Sequence, residues 1–144
     1  MLINKDLLKN NAALLGIKLG DEETGRFDML AERLIEQNKT MNLTAITEPD
    51  EVVIKHFVDS ISLLSAVTPE KGARVLDLGT GAGFPGIPLL ICRPDIKLTM
   101  VDSTAKKLKY VASTVEALGL NAETLHSRAE EAGKQPEYLS LIHI

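Results

Sequence analysis

The sequence predicts an α/β fold, a doubly wound and mostly parallel sheet preceded by an α-helical cap. Three observations carry this. From Ala73 onward strand-like and helix-like segments alternate. The stretch Ala73-Arg-Val-Leu-Asp-Leu-Gly-Thr-Gly-Ala-Gly-Phe-Pro-Gly86 then reads as a buried strand running into a glycine loop that opens a helix. Finally, the next strand, Lys97-Leu-Thr-Met-Val-Asp102, ends on an acid. Strand and helix in strict alternation imply parallel strands joined by right-handed crossovers. A glycine loop beside an acid at the next strand end builds a nucleotide-cofactor pocket.

Residues 1–70 form the cap. Asn4 is placed to cap a first short helix carrying Leu7, Leu8 and Leu14 and ended by Gly16; Asp21 is placed to cap a second, with Phe27, Leu30 and Leu34 at helical spacing. A loop over 38–45 follows. Thr47 with Asp50 three residues on resembles a capping box, Pro49 falls in the first turn, and Val53, Phe57, Ile61 and Leu64 make an apolar stripe. Residues 71–144 then supply the first part of the core: strand 73–79, helix 85–92, strand 97–102, helix 104–118 and strand 122–126. The helix over 104–118 shows Leu108, Val111, Val115 and Leu118 on one face, with Gly119 as its left-handed stop. There is no internal repeat and no low-complexity segment.

The glycine loop fits two cofactor classes. Gly81-Ala-Gly83-Phe-Pro-Gly86 satisfies G-x-G-x-x-G, and a dinucleotide site would use it to seat a pyrophosphate on the helix N-terminus. Here, however, the glycines fall at every second residue from Gly79, and Asp77 stands two residues before the first of them. A carboxylate there repels a pyrophosphate. It suits a ligand carrying positive charge, such as the ammonium and sulfonium of S-adenosylmethionine, because opposite charges attract strongly in a partly desolvated cleft. Gly79, Gly81 and Gly83 let the backbone approach a ligand with no Cβ in the way, and Asp102 is placed to hold both ribose hydroxyls. Pro85 suits the first helical turn.

The order acid, x, Gly, x, Gly, x, Gly followed by a ribose-binding acid resembles the first two motifs of the class I S-adenosylmethionine-dependent methyltransferases, whose fold is Rossmann-like. The resemblance is closer still at family level. Asn42-Leu-Thr-Ala-Ile, His56-Phe-Val-Asp59-Ser60, the Gly-Phe-Pro-Gly-Ile-Pro extension of the loop, Val101-Asp-Ser-x-x-Lys-Lys and Arg128-Ala-Glu-Glu are similar to successive signatures of the glucose-inhibited division protein B family. That family comprises the bacterial small-subunit (16S) ribosomal RNA guanine-N7 methyltransferases. The resemblance implies that Gly79, Phe84 and the pair Ala129 and Glu130 contact the cofactor, with Asp77 and Asp102 in the superfamily roles. It also implies S-adenosyl-L-methionine as cofactor, and small-subunit ribosomal RNA or the assembled small ribosomal subunit as partner. A nucleotide-dependent oxidoreductase using NAD(P), and a cofactor-binding fragment without activity, are the alternatives.

Composition narrows the class without deciding it. A chain of 144 residues with 44% hydrophobic and 25% charged residues falls within the range of one ordinary globular domain. A single cysteine, Cys92, excludes an internal disulfide and lies in an apolar helical run, where a thiol is buried and inert. No signal-peptide core and no run of membrane-spanning length occur, so a cytoplasmic location is expected and the glycosylation pattern at Asn42-Leu-Thr44 is accidental. In the sequence His126 and His143 do not stand at metal-ligand spacing from other ligand-type residues, so no metal is expected. A net charge of −4 gives no overall footprint for RNA.

Several residues keep two readings. His56 serves helix packing or substrate contact. Lys106-Lys107-x-Lys109 is a solvated helix face or a phosphate contact. Glu130 and Glu131 are cofactor neighbours or first-turn acids, and Asn42 touches a ligand or caps backbone groups. After Tyr138 the chain leaves the family pattern, ending Leu139-Ser-Leu-Ile-His-Ile144. A class I sheet normally has about seven strands, with helices covering both faces. The chain therefore reads as a C-terminally truncated piece whose last six residues are not native sequence; the alternative is that Leu139 to Ile144 form the fourth strand of a small complete domain. No catalytic base is identified, and methylation at guanine N7 needs none.

Overall fold

The computed structural model describes residues 2–135 and 142–144. The helical cap forms much as its apolar spacing requires. Asn4 accepts the Leu7 N–H at 3.0 Å and starts α1 (Lys5–Leu14). The second helix, α2 (Asp21–Met41), corrects one expectation: Gly20, with extended backbone, takes the cap position, and Asp21 is the first helical residue. With the Gly20 carbonyl already accepting from Thr24 at 3.0 Å, Asp21 joins Glu22 and Glu23 in the first turn, where the helix dipole favours acids. Asp28, buried in α2, accepts the N–H groups of Leu2 and Ile3 at 2.9 Å each, which fastens the N-terminus to the cap.

The next helical segment departs from expectation twice. Its cap is Glu48 rather than Thr47: the Glu48 carboxylate reaches the Glu51 N–H at 3.0 Å and Pro49 supplies the donor-free first position of α3 (Pro49–Glu51). The chain then continues as a π-helix over Val52–Val58 before α4 (Asp59–Ile61) and α5 (Leu63–Ala66). The Asp59 N–H donates back to Ile54, five residues earlier. Such bonds widen the turn, which keeps Val53, Phe57 and Ile61, spaced four apart, buried on one face.

Four parallel strands follow, in the order β3-β2-β1-β4: β1 (Arg74–Leu78), β2 (Lys97–Asp102), β3 (Glu123–His126) and β4 (Ile142–His143). Residues 139–141 of the tail lie outside the described residues; Ile142 and His143 pair with Val75 and Leu76, so this part of the tail adds a strand. Helices α6 (Gly86–Cys92), α7 (Ala105–Ala117) and α8 (Ala129–Ala132) connect the strands. Side chains alternate across a strand. Val75, Leu98 and Met100 accordingly belong to one large core with Phe27, Leu30, Phe57, Leu90 and Val111, continuous from cap to sheet. Leu76 and Val101 face the other way, against Ala132 of α8. Asp77 and Asp102 thus fall on the large-core side, at the carboxyl ends of their strands.

Candidate functional site

β1 is the strand at which the sheet order reverses, with β2 on one side and β4 on the other. Open α/β sheets bind ligands at the carboxyl ends of strands flanking such a point. The loop from Gly79 to Pro85 sits there, and two acids hold it in shape.

Asp77 is 1% exposed. Its Oδ2 accepts the Thr80 hydroxyl at 2.7 Å and the Gly86 N–H at 3.0 Å, so one oxygen ties the loop to the first residue of α6. Burial pushes this carboxyl up to about 6; the hydrogen bonds from Thr80 and Gly86 oppose the shift and the Asp102 charge adds to it. Thr80 escaped the sequence analysis. Its signal is a hydroxyl three residues after a strand-end acid, between two glycines, a place where such side chains tie backbone turns together.

Asp102 fastens the loop from the other side. Its Oδ2 accepts the Gly81 N–H and its Oδ1 the Thr104 N–H, each at 2.9 Å. A ribose-holding carboxylate was expected; the structure adds that each oxygen already carries a backbone donor. Carboxylate oxygens accept more than one hydrogen bond, so Asp102 retains capacity for a ligand.

The glycines separate into two kinds. A Cβ at Gly79 (φ +70°) or Gly81 (φ +57°) would meet nothing within 4 Å. These two present bare backbone to open space, as a ligand-facing surface requires. A Cβ at Gly83 would lie 2.9 Å from Ile87 Cγ1, and one at Gly86 2.6 Å from Asp77 Oδ2. The space beside those two is filled by the protein.

Phe84 links this loop to the cap. Its ring stacks on His56 with centroids 4.5 Å apart and planes 6° from parallel, and it meets Phe57 at 6.1 Å, which in turn meets Phe27 at 5.0 Å. His56 Nε2 hydrogen-bonds Thr44 Oγ1 at 2.8 Å, and Asn38 Oδ1 accepts the Thr44 N–H at 2.9 Å. His56 therefore has packing partners on both sides. Burial lowers its pKa below the ordinary histidine value, against the pull of Asp59, which leaves the ring neutral at pH 7. Asn42 ends α2 in the left-handed conformation (φ 35°), which asparagine tolerates better than most residues.

Ala129 and Glu130 open α8 directly after β3, whose His126 lies opposite Asp102. The Ser127 N–H donates to the Asp102 carbonyl at 3.1 Å, so the pair arrives at the same end of the sheet as the glycine loop. Burial, aided by Glu23, pushes the Cys92 thiol up to about 12 and keeps it protonated. Among the described residues no three His, Cys, Asp or Glu side chains come together as a metal set, and no helix is long and apolar enough to cross a membrane.

Comparison with known proteins gives this geometry a lineage. The family model for GidB, described as rRNA small subunit methyltransferase G, matches residues 24–143. The chain belongs to the GidB family. Relatives called ribosomal RNA small subunit methyltransferase G include one from Desulfitobacterium hafniense, 46% identical over 86% of this chain and 51% of the relative. Another, from Pelotomaculum thermopropionicum, is 42% identical over 96% of this chain and 58% of its own length. One from Trichormus variabilis is 47% identical over 82% and 51%. The chain thus spans about half the length of the curated relatives it matches. Among solved structures, a Plasmodium falciparum protein described as a protein-L-isoaspartate O-methyltransferase, in complex with S-adenosyl-L-homocysteine, aligns with a TM-score of 0.53. At 15% identity over 93% of this chain and 66% of that one, it shares the fold.

Proposed function

We propose that the protein binds S-adenosyl-L-methionine at the carboxyl ends of β1 and β2 and transfers its methyl group to N7 of a guanine in small-subunit (16S) ribosomal RNA. The single observation that carries the proposal is the open-fronted glycine pair, Gly79 and Gly81, the second of them latched to Asp102, in a member of a family described as rRNA small subunit methyltransferases. That description also favours the proposal over a dinucleotide oxidoreductase, whose pyrophosphate would face two carboxylates.

The residues present fit the cofactor. Bare backbone at Gly79 and Gly81 admits it, Asp102 holds the ribose hydroxyls, and Asp77 places negative charge toward its cationic end. Phe84, Ala129 and Glu130 border the same strand ends, and Gly83 lets α6 close in behind the loop. When bound, the sulfonium supplies an electrophilic methyl group. Guanine N7 offers a free lone pair and no proton, so no side chain has to remove one. The protein's contribution is to hold two reactants in line, which by itself supplies several kcal/mol of rate acceleration.

Calorimetric titration tests this directly. S-adenosylmethionine is expected to bind and NAD is not. Asp102→Asn should weaken the former at least tenfold, because hydrogen bonds to a charged acceptor contribute about 1.5–3 kcal/mol each. An unchanged dissociation constant in a folded Asp102→Asn protein removes Asp102 from the site. Gly81→Val should do comparable harm by filling the open space in front of the backbone; native affinity there would move the site elsewhere.

A further inference from the structure

A groove of about 280 Å³ runs between α2 and α7, and its walls carry cations: Arg33 from α2, Lys106 and Lys109 from α7. Arg33 is held rigidly, its Nε donating to Thr114 Oγ1 at 3.1 Å and its Nη2 to Ser113 Oγ at 2.8 Å. Both partners are neutral hydroxyls. Among the described residues Lys9, Arg26, Lys39, Lys55 and Arg93 each lie within 4.0 Å of a carboxylate; Arg33, Lys106 and Lys109 are among the cations with no such ion pair, and these three are gathered on one groove. On a chain whose net charge is −4, this groove concentrates positive charge that the protein leaves unneutralised. Glu32 and Glu36 border the adjoining hollow, and Glu36 is occupied by Lys39 at 3.0 Å, so the patch is a strip rather than a broad field.

The strip points at the proposed site. Lys106 follows Asp102 by four residues, in the first turn of α7, and Lys109 stands one turn further along the same face. Met41, which also lines the groove, ends α2 just before the loop whose Thr44 holds His56 against Phe84. A fixed planar guanidinium beside two mobile ammonium groups is suited to phosphodiester oxygens, and contacts of that kind set register without reading bases.

We propose that the α2–α7 groove is the track on which the RNA backbone docks, through Arg33, Lys106 and Lys109, so that the target nucleotide reaches the carboxyl ends of β1 and β2. This rests on the methyltransferase function proposed above and assigns the surface by which the substrate is held. Lys106 and Lys109 are exposed, so Lys106→Gln/Lys109→Gln leaves the core intact. Lys18→Gln/Lys71→Gln, on exposed positions outside the groove, removes the same charge elsewhere.

Fluorescence anisotropy with a labelled RNA stem-loop, between about 50 and 200 mM salt, distinguishes the two pairs. The groove pair should raise the dissociation constant about tenfold at low salt and reduce the salt slope by about 1.5, as loss of two phosphate contacts requires. The control pair should change the constant by less than about twofold, since charge distant from the contact is screened. Equal effects from both pairs, no effect from the groove pair, or no RNA binding by the wild-type chain would each overturn the docking track. A parallel titration with S-adenosylmethionine separates the two proposals. Cofactor binding with an inert groove sinks the track alone, whereas RNA binding through the groove without cofactor binding sinks the methyltransferase function, and with it the track's role in delivering a nucleotide to that site.

Discussion

Gly86→Ala is expected to destabilise the chain by about 3 kcal/mol or more, the sum of overpacking and a disturbed hydrogen bond to a buried carboxylate. The new Cβ would lie 2.6 Å from Asp77 Oδ2 and 3.2 Å from Leu98 Cδ2. Neither can retreat easily. Oδ2 is fixed by the Thr80 hydroxyl and by the N–H of Gly86 itself, and Leu98 is fully packed in β2. Gly81→Ala makes the comparison, because its Cβ has open space and only the left-handed backbone opposes it, at about 1–2 kcal/mol. Urea unfolding followed by far-ultraviolet circular dichroism measures both, which suits a chain without tryptophan. A Gly86→Ala protein as stable as Gly81→Ala would show that the loop is far looser than Asp77 makes it.

The same contrast marks what was legible in the sequence. Short apolar runs closing near Asp77 and at Asp102, with glycines between them, made the sheet legible, because those residues carry their constraint locally, and they marked the candidate site. The two roles of glycine were not legible: Gly79 and Gly83 look alike until Ile87 is seen filling the space beside one of them. Asp102 as a latch was hidden for a similar reason, since its partner Gly81 sits in a loop after a different strand. Cap positions slipped by one residue at Gly20 and Glu48, where adjacent residues could each serve and the local backbone decided. The π-helix was invisible because apolar residues four apart fit an α-helical stripe as well as a wider turn. The stacking of Phe84 on His56 joins cap to loop through tertiary packing alone.

Affinity for S-adenosylmethionine is expected to fall as pH drops below about 6, while folding stability moves in the opposite direction. Burial raises Asp77 from an ordinary carboxyl value of 3.8 to about 6 in the folded chain. Between those values the folded state therefore holds a proton that the unfolded state has released. Stability must decline as pH rises through that window, by roughly 2–3 kcal/mol in all, and the penalty is fully present above it. A cationic ligand reverses the preference, because it binds the ionised carboxylate and must displace the proton when the pH is lower. Its dissociation constant should then rise toward tenfold per pH unit below 6. Asp77→Asn removes both effects at once: the variant should be at least as stable as wild type at pH 8, bind the cofactor more weakly, and lose the pH slope in each measurement. A wild-type dissociation constant that stays flat from pH 5 to 7 would remove Asp77 from cofactor binding and leave it only as the tie between Thr80 and Gly86. The buried carboxylate is thus destabilising where it stands, and under the function proposed above a positively charged ligand would add to the Thr80 and Gly86 partners of its ionised form.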